Sequence, residues 1–95
     1  MSYTLHYHPG IQQDDLPRIP ENMRRRIRKG IESRLLIDPL RFGEPLKRSL
    51  RGYRKLRVGD YRVIYRIDGE RVVILKIGHR KEVYTNLSEI SGRHS

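Results

Sequence analysis

The stretch Tyr53-Arg54-Lys55-Leu56-Arg57-Val58-Gly59-Asp60-Tyr61-Arg62-Val63-Ile64-Tyr65-Arg66-Ile67-Asp68-Gly69-Glu70-Arg71-Val72-Val73-Ile74-Leu75-Lys76-Ile77 decides the fold of this chain. Its apolar residues recur with a period of two, the signature of half-buried strands. Gly59–Asp60 and Asp68–Gly69 interrupt the period with turn chemistry; an Asp-Gly pair between apolar runs is a strong hairpin signal. The reading is three consecutive strands, Tyr53–Val58, Tyr61–Ile67 and Val72–Ile77, the last being the most apolar and therefore placed centrally. Alternation assigns the faces. Leu56 and Val58 point one way, Lys55 and Arg57 the other; Val63, Tyr65 and Ile67 share a face, and Arg62, Ile64 and Arg66 share its opposite.

Upstream, Tyr3, Leu5 and Tyr7 alternate with Thr4, His6 and His8, a short strand ended by Pro9–Gly10. Ile11–Leu16 reads as a short helix with Pro17 near its end. Pro20 suits the first position of a second helix, with Glu21 favourable in its first turn. Met23, Ile27, Ile31 and Leu35 recur every fourth residue and give that helix its apolar stripe, which Asp38–Pro39 terminates. Gly30 within it allows close packing on the sheet. Residues 39–50 read as irregular, Tyr84 begins a short tail, and Ser91–Ser95 reads as a frayed end.

The order β-α-α-β-β-β gives an α+β fold: two N-terminal helices packed on one face of a small, mainly antiparallel four-stranded sheet. Residues 1–95 form a single domain, with 85–95 a short or flexible C-terminal tail. Because the helices cover only one face, the basic residues are expected on the open one.

Composition narrows the function classes. No apolar run approaches the ~18 residues of a membrane span, and Met1–Gly10 has neither the apolar core nor the basic leader of a signal peptide. There are no cysteines, which excludes disulfides and thiolate metal sites. The expected location is the cytoplasm. Lys and Arg total 21 against 11 Asp and Glu, a net charge of +10. Such a chain suits a nucleic acid or an acidic protein partner. Arg24, Arg25, Arg26, Arg28 and Lys29 crowd the outer face of the second helix, where like charges at i,i+4 repel unless an anionic surface meets them.

No zinc-protease, P-loop or dinucleotide-binding motif is present. His6 and His8 share a strand face but have no third metal ligand, so no metal site is expected. Asp60, Asp68 and Glu82 are scattered, which disfavours two-metal nuclease chemistry. Metal-free RNA cleavage remains feasible: a 2′-hydroxyl attacks the adjacent phosphorus and displaces the 5′-oxygen. It needs in-line geometry, a proton acceptor, cations for the phosphorane and a proton donor. Lys55, Arg57, Arg62 and Arg80 supply cations, Tyr53 and Tyr84 supply rings that stack on bases, and His79 supplies an imidazole. In this reading Lys55 is the proton acceptor, with Arg57 and Arg62 disfavouring its charged form.

The runs GDYRVIYRID (59–68) and KIGHRKEVY (76–84), with the strand before them, resemble the RelE/ParE superfamily of bacterial toxins, most closely its RelE branch. The resemblance implies a RelE-like fold in the inferred order. It implies a cytoplasmic toxin that enters the A site of the 70S ribosome and cuts mRNA without metal or cofactor, leaving a 2′,3′-cyclic phosphate. The implied partner is a cognate antitoxin, expected to be acidic in its toxin-binding segment. On this resemblance Lys55 matches the second of two catalytic lysines, Arg62 a phosphate-holding arginine, Arg80 the leaving-group arginine and Tyr84 a base-stacking tyrosine. The first lysine falls at Tyr53; Arg54 or Arg57 replaces it, and strand parity favours Arg57. His79 competes with Arg80 as proton donor, and Asn86–Ile90 is the only segment that could begin a C-terminal helix. Two alternatives accompany the resemblance: a ParE-like DNA gyrase inhibitor, and a catalytically inactive toxin-fold regulator.

Overall fold

The computed structural model describes residues 2–46, 52–85, 90 and 92–93. Two glycines in the left-handed region set its sheet: Gly59 (φ 59°) and Gly69 (φ 62°) occupy the reversals of a three-stranded meander. L-residues with side chains adopt that region only at a cost. The strands are β3 (Tyr53–Val58), β4 (Tyr61–Asp68) and β5 (Arg71–His79). Because Asp68 pairs with Arg71, the second turn consists of Gly69–Glu70, one residue later than the Asp-Gly signal suggests.

With β1 (Thr4–Tyr7) and β2 (Glu44–Pro45) the sheet has five strands rather than four, ordered β1-β5-β4-β3-β2. Strand β1 (Thr4–Tyr7) runs parallel to β5, with Leu5 opposite Val72. The fifth strand, β2, is only Glu44–Pro45 and lies antiparallel to β3 at the edge. Two residues carry no detectable period, and Pro45 lacks a donor, which confines it to an edge. The most apolar strand, β5, is internal, but β4 holds the middle.

Between the edge strands run the helical segments. Ile11–Asp15 forms a single π-helical turn, followed by a 3₁₀ turn at Leu16–Arg18, in place of the expected short helix. Helix α1 spans Glu21–Arg34, with Pro20 as its N-cap rather than its first residue. Pro39 ends no long element but opens the short helix α2 (Pro39–Phe42), where the Asp38 carboxylate accepts the Arg41 N–H at 3.3 Å. Gly30 does pack close: a Cβ there would lie 3.2 Å from Val58 Cγ2.

The core is divided by the sheet. On one face Ile27 and Ile31 of α1 and Leu35 just beyond it pack with Leu56, Val63, Tyr65, Val72 and Ile74. On the other, Tyr53, Ile64, Val73 and Leu75 are buried beneath Val83 and Ile90. That second face was expected to be open; the chain after β5 covers its middle and leaves the cations around it. A register shift lets both clusters form. Ile64 faces Lys76 but Tyr65 faces Ile74, so Leu75 is an extra residue. This bulge returns Ile77 to the helix side with Val72 and Ile74, where strict alternation would place it opposite. The C-terminal end is also not simply frayed. Ile90 is fully buried and Arg93 is 6% exposed. The expected helix start at 86–90 and His94 lie mostly outside the described residues. Among the described residues no helix is long and apolar enough to cross a membrane.

Candidate active site

Register places the cations. Arg57 stands directly opposite Arg62 across the β3–β4 hairpin, and Lys55 stands opposite Ile64. Odd-numbered β3 residues and even-numbered β4 residues share the tail-covered face, so Lys55, Arg57 and Arg62 lie together on it. Like charges directly opposite on adjacent strands repel. The fold accepts that arrangement, and a phosphate placed between them would relieve it. Arg62 is half-buried and its Nη1 donates to the carbonyls of Tyr61 (2.9 Å) and Gly59 (3.1 Å). These bonds fold the side chain back on the turn and fix where its charge sits. Arg57 is exposed.

Tyr84 completes this group. The Lys55 Nζ lies 5.9 Å from the centre of its ring, within the range of a cation–π contact. Its hydroxyl is buried with no hydrogen-bond partner among the described residues. Burial raises its phenol pKa first; the Arg62 charge lowers it and the Glu44 carboxylate raises it. Tyr84 therefore sits within the field of Lys55, Arg62 and Glu44.

Glu44 is the functional candidate that the sequence did not disclose. Its carboxylate is 4.0 Å from Lys55 Nζ. A lone acid beside Gly43 and Pro45 carries no motif; only the pairing of Glu44 with Lys55 across β2 and β3 reveals it.

Other candidates lie elsewhere. Arg54 projects to the helix side, where Nη2 donates to the carbonyls of Leu40 and Gly43, both at 2.7 Å. It clamps the α2 turn. Tyr53 is 7% exposed, packed in the second cluster, so its ring offers no stacking surface as placed. The His79 ring packs edge-on against Tyr61 at 5.6 Å, and its Nδ1 accepts the Lys81 N–H at 3.2 Å. Tyr61 packs with the helix-side cluster, which separates His79 from the Lys55–Arg62 face. Arg80 is held at the β3–β4 turn. Its N–H donates to the Asp60 carbonyl at 2.8 Å and its Nε lies 3.5 Å from the Asp60 carboxylate. His6 pairs with Thr4, and His8 accepts the Gly10 N–H; among the described residues no three His, Cys, Asp or Glu converge as metal ligands.

Among the described residues the arrangement is a cationic shelf with one aromatic ring and one carboxylate. It suits an extended polyanion. The model of the family described as ParE toxin of type II toxin-antitoxin system, parDE, matches residues 11–84. Toxin RelG of Mycobacterium tuberculosis is 37% identical over 86 residues, covering 88% of this chain and 98% of that protein. The chain belongs to the RelE/ParE toxin superfamily. Toxin RelE of the same organism is 40% identical over 89 residues, covering 88% of this chain and 92% of its own. In the crystal structure of the toxin–antitoxin complex RelBE2 from M. tuberculosis, the matching chain superposes with a TM-score of 0.77 at 35% identity. That match covers 84% of this chain and all of the other. RelE-type names thus accompany the similar proteins and a ParE description accompanies the family model.

Proposed function

We propose that this chain is the toxin of a type II toxin–antitoxin pair and that it cleaves mRNA in the ribosomal A site by 2′-hydroxyl attack. The observation that carries this reading is the shared face of Lys55, Arg57, Arg62 and Tyr84. Arg57 and Arg62 hold the scissile phosphate and the phosphorane charge. Tyr84 stacks on a base, and Lys55 orients both. Lys55 is the proton acceptor for the 2′-hydroxyl, and the Glu44 carboxylate 4.0 Å from its Nζ offers a second acceptor beside it. Arg80 neutralises the departing 5′-oxygen. His79 competes as proton donor only after its ring leaves Tyr61. A shelf this open positions RNA poorly alone, so the ribosome supplies much of the orientation.

The antitoxin reading draws on the RelBE2 complex and on a groove between α1 and the first turn. That groove, about 660 Å³, has Ile11, Leu16 and Ile27 along its floor and Arg24, Arg25 and Arg28 at its rim. An acidic amphipathic segment fits both features. Calorimetry of the purified pair across a salt series should show affinity falling with salt; a salt-independent affinity counts against it.

The deciding experiment uses translating ribosomes programmed with a defined mRNA. Cleavage within the A-site codon is expected, with free mRNA cut far more slowly. The upstream fragment should end in a 2′,3′-cyclic phosphate and the downstream one begin with a 5′-hydroxyl. A 5′-phosphate excludes the mechanism. The ParE description of the matching family favours one other reading: intact mRNA together with blocked supercoiling by purified gyrase would move the chain to a gyrase inhibitor.

A further inference from the structure

Asp15 and Arg93 are the buried charged residues among those described, 5% and 6% exposed, and neither belongs to the candidate site. They meet where the sheet runs out of strand. Pairing between β1 and β5 ends at Tyr7 opposite Ile74, and the His8 N–H adds one last bond to the Ile74 carbonyl. Strand β5 continues to His79. Backbone groups along that buried edge need partners. Asp15 Oδ2 accepts the Ile77 N–H at 2.9 Å, and Arg93 Nη1 donates to the Leu75 carbonyl at 3.1 Å. The two side chains join each other at 2.9 Å. Lys76 Nζ lies 3.5 Å from the other Asp15 oxygen, and Arg93 Nη2 lies 3.5 Å from Asp14. The guanidinium passes so close to Gly10 that a Cβ there would lie 2.7 Å from its Cζ. Two side chains from opposite ends of the sequence thus take the place of a strand.

The location matters because of what lies between. Tyr84 is beside Lys55 on β3, whereas Arg93 sits on the edge of β5 that faces away from β3. Ile90, fully buried, packs with Ile64, Val73 and Leu75, and Tyr84 packs at the rim of the same cluster. Val83 rests on Gly78, where a Cβ would lie 3.3 Å from the valine Cβ. The Tyr84 hydroxyl has no hydrogen-bond partner among the described residues. Its ring packs at the rim of that cluster with the Lys55 ammonium over it.

We propose that Arg93 and Asp15 are positioning residues, which pin the C-terminal end to the uncovered edge of β5 and thereby hold Tyr84 over Lys55. The relevance to catalysis rests on the reading of Lys55 and Tyr84 as substrate-facing. The positioning itself does not, and the test separates the two.

The full chain is labelled with 3-fluorotyrosine, and its six tyrosines are assigned by single Tyr→Phe replacements. The Tyr84 fluorine reports the ring amid Lys55, Arg62 and Glu44; the Tyr65 fluorine, on the other face of the sheet, reports the intact fold. In Arg93→Gln the Tyr84 resonance should move to the position of an exposed tyrosine. Its titration midpoint should fall toward that of free 3-fluorotyrosine, with Tyr65 unchanged. Arg93→Lys should recover part of the shift, since it restores a charge for Asp15 but not the planar fork that also reaches Leu75. On programmed ribosomes Arg93→Gln should lower kcat by roughly tenfold with KM changed by less than about twofold, the pattern of a group misplaced in the transition state. An unmoved Tyr84 signal in Arg93→Gln overturns the proposal. Should that variant lose the Tyr65 signal and so fail to fold, Arg93→Lys decides: a partial Tyr84 shift supports positioning, and none overturns it. A moved Tyr84 signal in a protein whose parent chain cuts no mRNA sustains the positioning and sinks the proposed function instead.

Discussion

On the helix-covered face of the sheet, Ile27 and Ile31 of α1 and Leu35 just after it pack with Leu56, Val63 and Ile74 in one buried apolar cluster. On the tail-covered face, the buried patch of Ile64, Val73 and Leu75 is smaller, and Lys55, Arg57, Arg62 and Arg66 border it. The first face has a continuous lid made early in the chain. The second is closed by Val83, Tyr84 and Ile90, which arrive last. The difference separates two tasks. Continuous apolar burial supplies most of the stability of a small domain, so cations that repel one another are tolerated only on the face that does less of it.

Substitutions on the two faces should therefore fail in different ways. The largest expected effect is on activity. On the proposed function Arg62→Ala removes a cation that holds the phosphate, and it should cost roughly 3–4 kcal/mol of transition-state stabilisation, by analogy with oxyanion donors, or 10²–10³-fold in ribosomal mRNA cleavage. Its thermal melt should stay close to that of the parent chain, since the turn carbonyls it binds can turn to water. Cleavage at the parent rate would break the assignment of this face. Leu56→Ala, one residue along β3 from Lys55 but on the helix side, should do the reverse. Leu56 is 1% exposed, and truncation of such a residue costs roughly 3 kcal/mol. Chemical denaturation should show that loss, with per-molecule cleavage little changed while the protein remains folded. Tyr65→Phe is the milder helix-side test. The Tyr65 hydroxyl donates to the Pro39 carbonyl at 2.6 Å, and leaving that buried acceptor unpaired should cost about 1–2 kcal/mol. The α2 turn should loosen, seen as faster amide exchange at Arg41 and Phe42.

The same two faces mark what was legible in the sequence. The periods of two and four located β1, α1, β3, β4 and β5, because a regular element with one buried face writes its period into the residues. Parity also gathered Lys55, Arg57 and Arg62 on one side. The bulge at Leu75 escaped because Val72–Leu75 is uniformly apolar, and such a run reads the same in either register. Strand β2 and Glu44 escaped because two residues have no period. Arg93 escaped because polar termini read as frayed, and its partners are remote in sequence, Asp15 lying 78 positions away. Tyr53 was assigned by its ring and Arg54 by the resemblance, as a stand-in for the missing lysine; the fold turned Arg54 to the carbonyls of Leu40 and Gly43 and buried Tyr53. His79 follows β5 past the bulge, and its side changed with the register.

The smallest effect sharpens the comparison by pH. Tyr65 and Tyr84 lie on opposite faces, and burial raises both phenols above the ordinary 10.0. An unfolded chain ionises at the ordinary value, while the folded chain keeps the proton to higher pH. Between those values the unfolded state binds fewer protons, so stability declines as pH rises. The contribution is whole below about pH 10 and is lost as pH climbs through the folded value. Tyr7 adds to the same slope, its phenol raised by burial and by Glu32 against the opposing charge of Arg28. Denaturant midpoints measured at closely spaced alkaline pH should fall for the parent chain and fall less steeply for Tyr65→Phe and for Tyr84→Phe. The faces should then part company with Glu44→Gln. Glu44 is among the charges that raise Tyr84 but not among those acting on Tyr65, so its neutralisation should bring the Tyr84 titration down and leave that of Tyr65 where it was. A Tyr84 titration indifferent to Glu44 would remove the carboxylate from the Lys55–Tyr84 group, leaving Lys55 as the acceptor on that face.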